Sequence, residues 1–217
     1  MKNLLLYFGI MFLLTACIDN TVYFKTPQPE GGSNEGQLPA RYRGRYLDTN
    51  SNLLTIDKKY IVLKTYFEAT YTKTKIEHSK KYYIDNQFLV ERTTGEKYAY
   101  KMRNDTLFVR KFDVDTLFRL SKNNIVRKFR GNLILNYKED DKWRVEALSL
   151  DKLVMKHRTF DSKDLLDKLS TISDSEVFTD STKKVVVGQV LTPTKKQLVS
   201  ILNQNDTLLI NEYTKIK

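Results

Sequence analysis

The sequence predicts a mainly β protein of the α+β class. An antiparallel β-sandwich, a barrel or a curved meander carries a helix-strand-helix-strand segment at its C-terminal end. Three observations predict it. From Arg41 onward the chain is dense in Tyr, Phe, Thr, Ile and Val, the residue types that fit a pleated, half-buried surface. Turn-forming residues return about every 8 to 12 positions, the rhythm of many short strands. Only after position 160 does the apolar spacing change to a helical period.

The strands follow in order. Leu53-Leu54-Thr55-Ile56 leads through Asp57-Lys58-Lys59 into a long run from Tyr60 to Ile76. Further strands are expected at 81–84, 87–92, 97–102, 106–111, 116–120, 125–129, 132–137, 142–149 and 152–158. Asp85-Asn86, Thr94-Gly95, Asn104-Asp105, Asp113-Val114-Asp115, Asn123-Asn124, Gly131 and Glu139-Asp140-Asp141 separate them, as residues that bond their own backbone or tolerate left-handed geometry should. Asp161-Ser162 caps a helix to about Ser173, with Leu165, Leu166, Leu169 and Ile172 on one face. A strand follows over 183–191. Thr192-Pro193 then begins a second helix, to about Asn203, because proline suits the first helical position. Leu208-Leu209-Ile210 opens the last strand.

The N-terminus has another purpose. Lys2 precedes an uncharged run from Leu4 to Leu14. Eleven residues are too few to span a bilayer, which takes about 20. A charged start, a short apolar core and small residues after it read as an export signal. Leu14-Thr15-Ala16-Cys17 resembles the lipobox of bacterial lipoproteins, where cleavage falls between Ala16 and Cys17 and the cysteine is acylated. Cys17 is the one cysteine of the chain, so a lipidated product has neither a free thiol nor a disulfide. The reading divides the chain into a signal (1–16), a lipidated cysteine with a flexible tether (17–40), a β-rich domain (41–160) and an α/β segment (161–217) that is either a small subdomain or packed on the same domain. Pro27, Pro29, Gly31, Gly32, Gly36 and Pro39 suggest the semi-flexible tether.

Charge is uneven. The net charge is +11, and residues 41–130 hold 21 Lys and Arg against 10 Asp and Glu, while 131–217 hold 14 against 13. The positive excess favours anionic partners: an anionic lipid, an acidic glycan or an acidic envelope protein. An exported chain has no nucleic acid to meet.

Motifs of catalysis are missing. His78 and His157 stand alone, without the spacing of a zinc pair, and read as surface or strand-edge residues. No nucleophile elbow, phosphate loop or dinucleotide fingerprint occurs. Asp113-Val114-Asp115 and Glu139-Asp140-Asp141 lack the glycine and spaced ligands of a calcium loop. No catalytic residue, metal ligand or cofactor is therefore assigned. Cations interleave with aromatics in Arg41-Tyr42-Arg43-Gly44-Arg45-Tyr46 and in Lys80-Lys81-Tyr82-Tyr83. Such stretches suit sugars and anionic polymers, and equally a strand with one buried face.

With its lipobox, Phe24-Lys25-Thr26-Pro27-Gln28-Pro29-Glu30, Tyr42-Arg43-Gly44-Arg45-Tyr46, Asn124-Ile125-Val126-Arg127-Lys128-Phe129-Arg130-Gly131 and Trp143-Arg144-Val145, the sequence resembles, over most of its length, a group of small lipoproteins of the Bacteroidota. The resemblance brings no activity with it. It implies that Asp-Thr-Leu is an O-glycosylation context, which makes Thr106, Thr116 and Thr207 candidates. It also implies an outer-membrane protein facing the periplasm, since Ile18-Asp19-Asn20-Thr21 lacks an acidic export run. The expected function is a membrane-anchored, non-catalytic binding or accessory module of the cell envelope. The alternative is an envelope hydrolase whose paired carboxylates come from distant strands.

Overall fold

The computed structural model describes residues 21–160, 163–180, 185–203 and 209–216. Strands take 56 % of the described residues and helices 12 %, which places the protein in the mainly β, α+β class. The chain forms two compact units. Unit 1 takes the chain up to Ser33, Arg127–Ala147 and Arg158–Ile210; unit 2 takes Asn34–Val126, Leu148–His157 and Asn211–Lys217. The chain does cross from one unit to the other near 160, between His157 and Arg158, but each unit is assembled from three separated segments rather than from one side of that point.

The elements in chain order are β1 (Thr21–Phe24), β2 (Gly44–Leu47), β3 (Leu53–Ile56), β4 (Tyr60–Thr72), α1 (Lys73–Glu77), β5 (Tyr82–Asp85), β6 (Phe88–Glu91), β7 (Lys97–Arg103) and β8 (Thr106–Arg119). Then come β9 (Asn124–Phe129), β10 (Asn132–Glu139), β11 (Lys142–Asp151), β12 (Val154–Thr159), α2 (Lys163–Ile172), β13 (Ser175–Asp180), β14 (Val185–Leu191), α3 (Lys195–Leu202) and β15 (Leu209–Ile216).

In unit 1 the strands pair in the order β13-β14-β1-β11, with β10 beside β11 and β9 beside β10. β1 is parallel to β14 and antiparallel to β11. Period-2 alternation buries Val22 and Phe24. They join Ile134, Val145, Ala147, Phe160 and Leu191 in a core that Leu169 of α2 and Leu198, Ile201 and Leu202 of α3 cover. Phe24 meets Phe160 edge to face at 5.8 Å.

The tether expected over 17–40 is thus corrected from Thr21 onward. The segment that reads as a spacer is fixed by polar contacts. Gln28 is buried, and the Arg127 guanidinium donates to the carbonyls of Pro27 and Pro29 at 2.6 and 2.8 Å. Gly32 permits this closeness, since a Cβ there would lie 2.9 Å from the Pro29 carbonyl oxygen and 3.2 Å from Arg127 Cδ. Further along, Leu38 is wholly buried in unit 2.

In unit 2 the ladder runs β12-β15-β2-β3-β4-β8-β7-β6-β5. It is open, ending at β5, so the barrel is excluded and the meander describes these strands best. β4 and β8 pair along 13 positions. The break expected at 113–115 is absent: β8 is continuous, and a register shift beside Ile61 and Val62 absorbs the extra residue instead. Leu107 and Val109 of β8 enter a core with Ile76, Tyr82, Leu89 and Tyr98. Left-handed residues close the hairpins at Asn86, Asn104 and Asp140, the positions where turn chemistry predicts them.

Smaller corrections follow. The second helix is capped two residues later than expected, by Thr194, whose side chain accepts from Gln197 N in a capping box. The cap expected at Asp161-Ser162 lies outside the described residues. β1, β2 and β13 were not foreseen.

Candidate binding face

The long β4–β8 ribbon brings separated cations and rings onto one face. Residues directly opposite in an antiparallel pair share a face, as do their second neighbours. Tyr66 stands opposite Phe112, Lys64 opposite Val114 and Glu68 opposite Arg110. The rings of Tyr66 and Phe112 meet edge to face at 6.2 Å. Lys64 Nζ sits 3.3 Å from the Phe112 centroid and 5.4 Å from that of Tyr66. The Arg110 guanidinium lies 4.4 Å from the Tyr66 centroid. A cation thus borders the aromatic pair on each side. Such contacts fix long basic side chains over ring faces.

A second cluster adjoins the first. Tyr98 lies 5.8 Å from Phe112. Lys111 Nζ donates to the Tyr82 hydroxyl at 2.7 Å and approaches the Tyr82 and Tyr98 rings at 4.7 and 4.8 Å. Tyr71 packs on Tyr82 at 5.5 Å. Burial acts to raise the Tyr82 hydroxyl, but hydrogen bonds with Lys111, Lys81 and Tyr71 outweigh it and hold the phenol below its ordinary value. Burial acts to lower Lys111, and its bond to Tyr82 together with the nearby phenols and Glu91 reverses that. Burial raises Tyr98, and its hydrogen bond to Glu96 adds to this. Tyr82 and Tyr98 are buried, so this cluster is a polar lid on the unit 2 core. The surface part is Lys64, Tyr66, Arg110 and Phe112, with Val114 58 % exposed beside them.

The cations of this face are not ion-paired, although Glu68 shares the face with them. Among the described residues no carboxylate makes an ion pair with Lys64, Arg110 or Lys111; Lys81 pairs with Glu91 at 3.3 Å. Even Glu68, the cross-strand neighbour of Arg110, makes none.

Two acids are brought together elsewhere, in unit 1. Arg144 bonds both Glu139, at 3.0 Å, and the buried Glu146. The Tyr137 hydroxyl donates to Glu146 at 2.8 Å, and the Tyr23 hydroxyl donates to Glu139 at 3.0 Å. Both carboxylates are bonded by the same guanidinium. That arrangement ties the β10–β11 hairpin together.

The sites expected from sequence are scattered. Ala16, Cys17 and Thr207 lie outside the described residues. Thr106 is half-buried at the start of β8, and Thr116 is exposed within the same strand. The repeated Asp-Thr-Leu therefore occupies two different settings: a turn exit at Asn104-Asp105, and the interior of a strand at Asp115. His78 is exposed, its Nδ1 2.8 Å from the Thr74 carbonyl oxygen. His157 is buried, a correction to the surface reading, because it alternates with Lys156 on β12 and faces inward like Met155. Tyr42 and Tyr46 of the basic-aromatic stretch are core residues. Burial pushes the Tyr46 hydroxyl up to about 12, and it donates to the Tyr42 carbonyl at 2.7 Å.

Among the described residues, no group of three His, Cys, Asp or Glu side chains is placed to hold a metal, and no helix is long and apolar enough to cross a membrane. Comparison with protein-family models, with curated proteins and with solved structures returns no significant match.

Proposed function

We propose that this chain is a lipid-anchored binding module of the bacterial cell envelope, and that the Lys64–Tyr66–Arg110–Phe112 face holds an acidic partner. The anchor is the acylated Cys17, reached through export and cleavage after Ala16, with the outer membrane and its periplasmic face as the location. The observation that carries the binding reading is the unpaired charge: two cations are held over rings, and neither makes an ion pair among the described residues. Cations pre-oriented on aromatic faces lose little entropy when an acidic chain arrives. The rings and Val114 supply apolar contact beside the charges. A glycan rich in carboxylates and an acidic stretch of an envelope protein both present that chemistry.

Equilibrium binding of the mature chain to polygalacturonate and to poly-glutamate, followed at low and at 0.5 M salt, tests the reading. Wild type should bind one of them with an affinity that falls as salt screens the charges. The Lys64→Ala/Arg110→Ala variant should bind at least about 10-fold more weakly, about 1.4 kcal/mol. Equal binding by wild type and variant contradicts the assignment of the face.

A further inference from the structure

Unit 1 carries a second basic feature, separate from the ribbon of unit 2. A pocket of about 420 Å³ opens between the β9–β10 turn and α3, lined by Phe129, Arg130, Lys195, Lys196, Val199 and Ser200. The volume falls in the range of small-ligand pockets, about 300–1,000 Å³. Three of the six lining residues are cations. None of them makes an ion pair with a carboxylate among the described residues.

The placement of the lysines is unfavourable without a counter-charge. A helix start carries a partial positive charge, so first turns favour Asp and Glu. The first turn of α3 has no acidic residue and begins Lys195-Lys196. Its cap is already made by Thr194 and Gln197, which leaves the two lysine charges and the dipole adding to each other. Arg130 comes to the same pocket from a two-residue turn whose residues both have left-handed backbone, φ 44° at Arg130 and 81° at Gly131. A non-glycine residue there costs some backbone energy, yet it sets an arginine against the lysines. Like charges gathered at a dipole's positive end are stabilised by an anion. Phe129 and Val199 give the pocket an apolar wall, so the anion that fits best carries an apolar part.

The ladder registers indicate where this pocket lies. Phe24, at the end of β1, is opposite Trp143 at the start of β11, and the two strands are antiparallel. The β10–β11 turn at 140–141 is therefore near the end of β1, and the β9–β10 turn at 130–131 lies toward its beginning. Three residues separate Thr21 from Cys17, a reach of at most about 14 Å. The pocket turn is at the end of the strand ladder from which the chain leads to the anchor.

We propose that this pocket binds the phosphate of a membrane lipid headgroup, with Arg130, Lys195 and Lys196 as its ligands and Phe129 and Val199 against the glycerol and upper acyl carbons. The inference rests on the lipid-anchored reading, and it adds that the anchored unit is seated on the bilayer by a second, non-covalent contact. Two attachments hold a protein far more firmly than one.

The experiment uses the mature chain with Cys17→Ser, so that no acyl chain contributes. It is sedimented with vesicles of phosphatidylcholine alone and of phosphatidylcholine with 30 % phosphatidylglycerol, and titrated separately with glycerol phosphate. Wild type should bind the phosphatidylglycerol vesicles at least about 10-fold more tightly than the neutral ones. Arg130→Gln/Lys195→Gln/Lys196→Gln should lose that preference, while Lys58→Gln/Lys59→Gln, at two exposed lysines outside both sites, keeps it. Thermal unfolding of each variant confirms that it is folded. Unchanged binding by the pocket variant overturns the assignment. Binding of glycerol phosphate without any vesicle preference overturns the lipid source. Intact mass of the native protein tests the anchor independently: a Cys17 without lipid refutes the anchored reading and leaves the vesicle result to speak for the pocket alone.

Discussion

Asn136 holds Gln28 at both ends of one residue's backbone: its Oδ1 accepts from Gln28 N at 2.6 Å, and its Nδ2 donates to the Gln28 carbonyl at 2.9 Å. Both residues are buried, and 108 positions separate them. The side chain imitates a strand neighbour for a residue that has none. Asn136→Ala would leave a buried N–H and a buried carbonyl unpaired, at about 2–5 kcal/mol for the two. Urea unfolding of the variant should show a loss in that range. A loss within 0.5 kcal/mol, roughly what a featureless surface site gives, would mean that the clamp is not what fixes the segment.

Arg127 holds the same segment by another route, through the carbonyls of Pro27 and Pro29. Arg127→Ala should loosen it without unfolding the core. Trypsin cleavage after Lys25 is the readout, and it should accelerate roughly 10-fold, the equivalent of one or two lost hydrogen bonds. Cleavage at the wild-type rate in a folded variant contradicts this.

Tyr82 is predicted to ionise below the ordinary tyrosine range, because Lys111, Lys81 and Tyr71 bond its hydroxyl strongly enough to overcome the effect of burial. Phenolate absorbance during a pH titration should show one early tyrosine, missing in Tyr82→Phe and moved to higher pH in Lys111→Met. The sign for stability follows. A pKa lowered by folding means that the folded state favours the phenolate, so the contribution is present above the unfolded value of about 10 and disappears as pH falls through the folded value. A wild-type titration identical to that of Tyr82→Phe rules this out.

The core of unit 1 joins distant segments, and Leu198 of α3 lies within it, wholly buried with Phe24 and Val145. Leu198→Ala should cost about 2–5 kcal/mol, the cavity left behind adding to the lost burial. Differential scanning calorimetry would register it as a lower midpoint. A midpoint within a degree of wild type would show that α3 is not part of the folding core.

Much of the hairpin architecture is legible in the sequence because its turns are written in local chemistry. Asn86, Asn104 and Asp140 sit at positive φ, where short polar side chains are tolerated. β1 left no such trace. Thr21 pairs with Gly188 in a parallel ladder, and a pairing across so much chain leaves no local signal beside a run rich in proline and glycine. The same cause hid the candidate binding face. Lys64 and Tyr66 are ordinary strand residues until the β4 register sets them against Val114 and Phe112, and Asp113 and Asp115 make β8 read as two short strands. The conspicuous stretch from Arg41 to Tyr46 misleads because burial of Tyr42 and Tyr46, not ligand binding, explains its aromatics. The proposed lipidation is the opposite case: its whole signal is local, in Leu14-Thr15-Ala16-Cys17.

The most direct test of the binding face is photo-crosslinking in cells from position 114. Val114 stands opposite Lys64, on the face in question, and is 58 % exposed. A photoreactive residue placed there in the otherwise native chain should form one dominant adduct with an acidic envelope component. The Lys64→Ala/Arg110→Ala background should abolish that adduct while leaving the protein in the membrane fraction. An adduct of undiminished yield in that background, or no adduct in either, would contradict the account.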